Sequence, residues 1–249
     1  MLAVNAVAGL AANAALGLAN AVVVPVLTLT ASVGMAVRPR LIKLYAAGDK
    51  AGVRRLLVGS ARVAALTYMA LAFPLIFNMR CVLEMWLGDY PPALPGMLAV
   101  LLAVNIFVVL KDVFVIVVHA SGRIASLSFG TGAIYICGPF AVYGLCRAGV
   151  APAASLWALG AVFAAVLGVT LCLASRRLGR GSLGELSTGV MLYVALVAAA
   201  GCVLFAVLGQ LMPAGLLRLL VGVALSAAVF GLPLSAVSRG WRVRGRGSL

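Results

Sequence analysis

Two adjacent charged residues in the middle of an apolar run are the strongest candidates for chemistry in this sequence. Lys111 and Asp112 are the only Lys, Arg, Asp or Glu residues within 95–119. A charge in lipid is costly, so ionisable residues inside membrane spans mark substrate paths, cavities or ion pairs. Neighbouring residues on a helix point about 100° apart. Two interpretations stay open: a neutralised pair that holds helices together, or two groups that line a polar cavity and contact an anionic pyrophosphate.

Three asparagines bring amide groups into similarly apolar surroundings and are further candidates for a cavity lining. Asn13 and Asn20 are seven residues apart and share one helix face, and Asn105 precedes the charged pair. Hydrogen bonds between helices are the alternative role for such amides in a membrane. His119, at the end of the same apolar run as Asn105, has either a structural role or a proton-sensing one.

The residue sets of common enzymes and metal sites are missing from the sequence. It has one histidine, five cysteines with no CxxC pair, and no GxSxG or phosphate-binding glycine loop. We therefore expect no enzymatic activity, no metal and no cofactor.

The composition identifies lipid as the solvent of this chain. Its 249 residues are 65% hydrophobic and 10% charged, and its mean hydropathy is +1.20, whereas soluble domains are about 45–50% apolar and about 25% charged. The net charge of +14 does not indicate nucleic-acid binding, because the basic residues lie at the ends of apolar runs. That placement is typical of a multi-pass membrane protein.

Apolar runs between Pro, Gly and Arg breakers predict an all-α membrane protein with about seven spans. Each run is long enough for a helix that crosses a hydrocarbon core of about 30 Å. We expect the spans at 14–37, 60–80, 95–119, 124–146, 152–174, 189–210 and 214–237. An apolar segment, 1–13, precedes the first span, and a basic tail, 239–249, follows the last.

The distribution of Lys and Arg predicts the orientation of these spans. Three arginines lie on one side, namely Arg80, Arg147 and Arg218, and Lys111 lies inside a span. The remaining 15 of the 19 basic residues lie on the other side, in the connections 38–62 and 176–180, at Arg123 and in the tail. Since the basic side of a membrane protein is cytoplasmic, we expect the N-terminus outside and the C-terminus in the cytoplasm. An apolar start without a basic leader region suggests that the chain is the C-terminal portion of a longer transporter.

Four motifs, in one order along residues 1–150, resemble those of a known superfamily. The connection after the first span runs Pro39-Arg-Leu-Ile-Lys43-Leu-Tyr45-Ala-Ala-Gly48-Asp49. The others are Phe73-Pro74-Leu75 with Leu83-Glu-Met-Trp-Leu-Gly-Asp-Tyr-Pro91, then His119-Ala-Ser-Gly-Arg123, then Pro139 with Tyr143-Gly-Leu. In this order they resemble polysaccharide and O-antigen flippases of the MOP (multidrug, oligosaccharidyl-lipid, polysaccharide) superfamily, which have a MATE-like fold. Residues 151–238, with the last three spans, agree in hydropathy alone.

The resemblance implies one bundle, the C-terminal lobe, of a transporter whose two lobes face each other across a cavity. It implies movement of lipid-linked oligosaccharide across the bacterial inner membrane by alternating access, for polysaccharide or lipopolysaccharide synthesis. The partners it implies are membrane lipids, the lipid-linked oligosaccharide, and a separate N-terminal half or glycosyltransferases, with no nucleic acid. A multidrug or cation exporter of the same superfamily and a non-transporting membrane assembly partner are the alternatives.

Overall fold

A computed structural model describes residues 2–122, 124–179, 182–212 and 215–245, and the regular structure in these ranges is helical, with no β-strand. Side chains are described within 9–122, 124–179, 184, 186–212 and 215–230. Arg123, Arg180 and residues 246–249 of the basic tail lie outside the described residues. The roles predicted for them therefore stay predictions.

Ten α-helices follow one another along the described chain. They are α1 (Leu2–Ala46), α2 (Lys50–Phe77), α3 (Met79–Leu87), α4 (Leu94–Ala120), α5 (Ile124–Arg147), α6 (Pro152–Ser155), α7 (Trp157–Leu178), α8 (Ser182–Ser187), α9 (Tyr193–Leu211) and α10 (Leu216–Gly245). A π-helical turn, Thr188–Leu192, joins α8 to α9.

Six of the seven predicted spans are confirmed as helical segments long and apolar enough to cross a membrane. These segments are Gly9–Ala46, Lys50–Phe77, Leu94–Ala120, Ile124–Arg147, Pro152–Leu178 and Thr188–Leu211. In α10 the described side chains end at Phe230, and the apolar part Leu216–Phe230 is shorter than a span. The chain is thus an all-α, multi-pass membrane protein, and its seventh span stays a prediction.

The first helix is longer at both ends than the predicted span 14–37. Residues predicted as an apolar segment before the span are helical from Leu2, with a kink at Gly9, where φ is 80° and ψ is 179°. At the other end Pro39, Lys43 and Tyr45, predicted as a loop, lie in the last turns of α1. The segment Gly9–Ala46 has 38 residues, or about 57 Å of helix. It therefore extends past a hydrocarbon core of about 30 Å.

The connection between α1 and α2 is reduced to three residues, Ala47–Asp49, and its sequence explains why. Gly48 has a φ of +74°, a conformation that glycine adopts without strain. The amide of Gly48 donates to the Tyr45 carbonyl at 3.1 Å and that of Asp49 to the Leu44 carbonyl at 3.1 Å, which is a Schellman ending. The Asp49 carboxylate then accepts from the Gly52 amide at 2.8 Å, capping α2. Gly48 and Asp49 thus end one helix and begin the next.

Helices α2 and α4 form the centre of the bundle. In their most apolar windows 61% of residues are buried, compared with 17% in α5 and 22% in the segment that contains α9. Helix α4 packs against α1, α2 and α7, while α5 packs against α7 and α1. Large apolar side chains of α5 point away from the bundle, as Phe129 (82% exposed) and Phe140 (71% exposed) show. In a membrane these faces contact lipid.

Helices α9 and α10 attach to the rest of the bundle mainly through α2. Four aromatic rings make this contact, with centroids 5.1–5.9 Å apart, namely Phe73, Phe77, Phe205 and Phe230. Gly201 leaves room for them, because a Cβ there would lie 2.8 Å from the Phe73 ring and 3.1 Å from that of Phe230.

Contacts between helix ends agree with the predicted alternation of spans. Arg38, near the end of α1, meets His119, near the end of α4, and Arg62 of α2 binds Gly189, just before α9. These ends belong to the side predicted to be cytoplasmic, which we name the basic end of the bundle. Arg218 binds Phe77 at the opposite end. The assignment of the basic end to the cytoplasm stays a prediction.

Candidate functional site

The charged residues of α4 form a direct ion pair. Lys111 Nζ lies 2.7 Å from Asp112 Oδ1, although the two Cα–Cβ bonds point to different sides of the helix. The long lysine side chain makes this possible. The pair lies about 12 Å before the end of α4 at Ala120, so both charges are within the span Leu94–Ala120.

The two partners of this pair have different surroundings. The Lys111 side chain is 18% exposed and turns toward α5, where its Nζ lies 3.5 Å from the Tyr135 hydroxyl. The Tyr135 ring packs edge-on against Phe163 of α7. The Asp112 side chain is 56% exposed. The lysine is therefore held between helices, while the carboxylate reaches the bundle surface.

Asp112 opens into a groove between α1 and α4, with Ala64 of α2 at one side. The groove has a volume of about 270 Å³. Its walls are mostly apolar, formed by residues such as Leu27, Met35, Val113 and Ile116. Thr30 also lines it, but its hydroxyl donates to the Val26 carbonyl of its own helix at 2.8 Å.

Two basic side chains close the basic end of this groove. Arg38 and His119 both line it, and Arg38 Nη2 lies 3.2 Å from His119 Nδ1. A guanidinium only donates, so His119 Nδ1 is the acceptor in this contact. An arginine, a histidine and a carboxylate thus line one groove whose other walls are apolar.

The three asparagines predicted as cavity candidates lie apart from this groove. Asn20 and Asn105 donate to carbonyls of their own helices, Leu16 at 2.9 Å and Leu101 at 2.8 Å. Asn13 has a buried side-chain oxygen without a hydrogen-bond partner. No described groove or cavity brings these amides together with Lys111 and Asp112.

A second, larger cavity lies nearer the opposite end of the bundle. Its volume is about 400 Å³, and it lies between α2, α4 and α9, with Trp157 of α7 at its edge. Its lining is apolar apart from Tyr68 and Cys202. The Tyr68 hydroxyl already donates to the Leu102 carbonyl at 2.6 Å.

Sequence reasoning treated Arg38 and Arg62 as orientation signals and missed their contacts. Besides the Arg38–His119 bond, Arg62 donates through Nε and Nη2 to the Gly189 carbonyl, at 2.9 and 2.7 Å. Its guanidinium also lies 4.8 Å from the centre of the Tyr193 ring. A signal existed for Arg62, since it falls inside the predicted span 60–80, where a charge needs a partner.

The fold and the groove define a multi-pass α-helical membrane protein with a groove, beside a central helix, that contains Arg38, Asp112 and His119. Within the described side chains, no three His, Cys, Asp or Glu residues lie close enough together to hold a metal ion. The chain matches no known protein family, no curated protein and no solved structure.

Proposed function

We propose that this chain is one helical bundle of a transporter that flips lipid-linked oligosaccharide across the bacterial inner membrane by alternating access. The proposal combines the resemblance of residues 1–150 to polysaccharide flippases with one structural observation. That observation is the exposed carboxylate of Asp112 in the membrane-spanning part of α4.

The position of Asp112 supports a polar path because lipid does not tolerate an exposed carboxylate. Ionisable residues within spans face bundle interiors or water-filled cavities. With 56% of its side chain exposed, Asp112 therefore implies that the α1–α4 groove faces water or another protein surface. A cavity between two bundles is such a place, and transporters often bind their substrates between two related bundles.

The lining of the groove suits an amphiphilic substrate with an anionic group. Its apolar walls accept hydrocarbon or the apolar faces of sugar rings, and Arg38 at the basic end offers donors to a phosphate. One bundle provides only one wall of such a cavity. We therefore propose that a second bundle, in the same polypeptide or in a separate chain, completes it.

Transport in vesicles tests this proposal. The chain is reconstituted together with the second bundle that completes its cavity and with a fluorescent polyprenyl-pyrophosphate oligosaccharide. Movement is followed by loss of signal to a reagent that does not cross the membrane. We expect Asp112→Asn to slow flipping about tenfold, equivalent to about 1.4 kcal/mol of barrier. Asp89→Asn, in an exposed connection, is the matched control and should transport normally. Unchanged flipping by Asp112→Asn would return the ion pair to a purely structural role.

The same carboxylate supports a second candidate, export of drugs or other organic cations. Among the described residues, Asp112 is the one Asp or Glu within the six candidate spans. A cation exporter needs an acidic group of this kind. Ethidium efflux from the same vesicles separates the candidates: efflux without oligosaccharide flipping would favour export. Failure of both assays, with glycosyltransferases co-purifying, would favour a non-transporting assembly partner.

A further inference from the structure

The second cavity, between α2, α4 and α9, carries a separate inference because of its size and its lack of free polar groups. Its volume of about 400 Å³ is within the range of small-ligand pockets, about 300–1,000 Å³. With the Tyr68 hydroxyl bound to Leu102, the lining offers almost nothing to water, and apolar cavities stay dry. The natural occupant is therefore a hydrocarbon.

The cavity is open to the surface of the bundle at the depth of the membrane. Cys202 and Trp157 at its edge are exposed, Trp157 at 55%. All three walls belong to candidate spans and, unlike the α1–α4 groove, carry no charged side chain, so lipid is the medium that suits this opening. An acyl chain can enter from the side without crossing a polar surface.

A cation lies next to this cavity, at the end of the bundle opposite the basic end. Phe77 joins the two features: it lines the cavity, and its carbonyl accepts a 3.2 Å hydrogen bond from Arg218 Nη2. The guanidinium packs directly over the backbone at Gly209, where a Cβ would lie 2.9 Å from Nη2. No acidic side chain among the described residues forms an ion pair with Arg218. Since a guanidinium has five N–H donors, it retains donors for an anion.

We propose that this cavity is a binding site for one membrane phospholipid, with an acyl chain between α2, α4 and α9 and the phosphate on Arg218. The acyl chain is then bound by the dry apolar cavity, and the headgroup phosphate by charge-assisted hydrogen bonds from Arg218. The site is distinct from the α1–α4 groove and stands whether or not the chain flips an oligosaccharide.

Retention of lipid by the purified protein tests the chain-binding part. The full chain is equilibrated with dioleoylphosphatidylglycerol, washed in detergent and weighed by native mass spectrometry. We expect one phospholipid to stay on the wild type and to be lost from Ala198→Phe, which fills the cavity from α9. Ala206→Phe is the matched control on the same helix, because Ala206 is exposed and does not line the cavity.

A gentler variant keeps the test valid if Ala198→Phe fails to fold. Ala99→Leu fills the cavity from α4 and should also lose the lipid. Retention by a folded Ala198→Phe or Ala99→Leu protein at the wild-type level would overturn the proposal.

The headgroup part is tested by comparing dioleoylphosphatidylglycerol with dioleoylglycerol, which has the same chains but no phosphate. We expect the wild type to retain the phospholipid in preference, and Arg218→Gln to lose that preference. Arg80→Gln, which changes an exposed arginine of α3, should keep it. Equal retention of the two lipids by the wild type would overturn the role of Arg218.

The native cysteines give an independent measurement. Cys202 lines the cavity, whereas Cys137 is exposed on α5 away from it. Bound phospholipid should slow the reaction of Cys202 with N-ethylmaleimide and leave that of Cys137 unchanged. Equal rates at Cys202 with and without phospholipid would contradict the site.

Discussion

Helix α4 borders both openings of the bundle, and its two halves have opposite chemistry. The half nearer the basic end carries Asp112 and His119 into the α1–α4 groove. The other half carries residues such as Ala99 and Ile106 into the cavity shared with α2 and α9. One helix of 27 residues thus borders a groove that contains charged groups and a cavity that is apolar.

The two openings differ in the groups that their lining side chains leave without a partner inside the bundle. In the groove the Asp112 carboxylate is bound on one side by Lys111 and is otherwise exposed. In the cavity the Tyr68 hydroxyl is satisfied by a backbone carbonyl, and the rest of the lining is carbon surface and the Cys202 thiol. The groove therefore suits an amphiphilic occupant with a polar or charged group, and the cavity suits hydrocarbon.

Removing the cation of the groove should have the largest effect on stability. Lys111→Met leaves the Asp112 carboxylate unpaired inside a span, and we expect a loss of up to about 3 kcal/mol. Thermal unfolding in detergent micelles measures it. The double variant Lys111→Met/Asp112→Leu removes both charges and should recover most of the loss. A double variant as unstable as the single one would mean that each charge has a separate partner.

Crowding the aromatic contact beside the cavity should have the next largest effect. In Gly201→Ala the new methyl group would overlap the Phe73 ring, and overpacking costs about 1–3 kcal/mol. Gly168→Ala is the control, because a Cβ there has open space in α7. The control should be neutral or slightly stabilising in the same unfolding assay. Equal effects of the two variants would show that the Phe73 contact yields without strain.

Removing the hydroxyl of the cavity should cost about 1 kcal/mol. Tyr68→Phe loses the buried 2.6 Å bond to the Leu102 carbonyl, and such a bond contributes about 0.5–1.5 kcal/mol. Tyr143→Phe, whose hydroxyl meets only Arg147 at an exposed position, should change the unfolding midpoint less. A larger effect at Tyr143 would contradict the prediction that the Tyr68 hydroxyl stabilises the contact between α2 and α4.

The smallest effect is expected at the basic end of the groove. His119→Leu removes the acceptor of the Arg38 bond, and because this bond is exposed we expect a loss of about 0.5 kcal/mol. His119→Gln keeps an acceptor and should unfold like the wild type. If His119→Gln is as unstable as His119→Leu, the imidazole has a role beyond accepting from Arg38.

The positions of most helices could be predicted closely from the sequence, because the solvent of this chain is lipid. The spans predicted at 95–119 and 124–146 correspond to α4 (Leu94–Ala120) and α5 (Ile124–Arg147). Backbone groups in lipid must be satisfied within the helix, so an apolar run is helical until polar or turn-forming residues stop it. The end of α1 was predicted too early, because Arg38-Pro39 resembles a stop. Pro39 nevertheless lies inside α1, which continues to Ala46 and ends in the turn at Gly48.

Side-chain contacts between helices followed from the sequence much less well. Lys111 and Asp112 were recognised as the central charges, but the residue types did not show what each side chain contacts. The structure pairs them with each other and places Tyr135 of α5 next to Lys111. Asn20 and Asn105 were expected in a cavity or between helices, and in the structure their amides donate to carbonyls of their own helices. A polar side chain often has several hydrogen-bond partners within reach. Local geometry determines which of them it binds, and the residue type alone does not specify that geometry.

The sequence by itself determined that this chain is solvated by lipid, where most of its helices begin and end, and that its positive charge concentrates at one end. These properties depend on the free energy of transferring each residue from water to hydrocarbon. That free energy is set by the residue itself and its neighbours in the sequence. Only the tertiary structure decided that Arg38 meets His119, that Asp112 opens toward α1, and that a 400 Å³ cavity separates α2, α4 and α9. Lipid and protein neighbours are equally apolar, so a helix in a membrane carries little periodic signal for the face that packs.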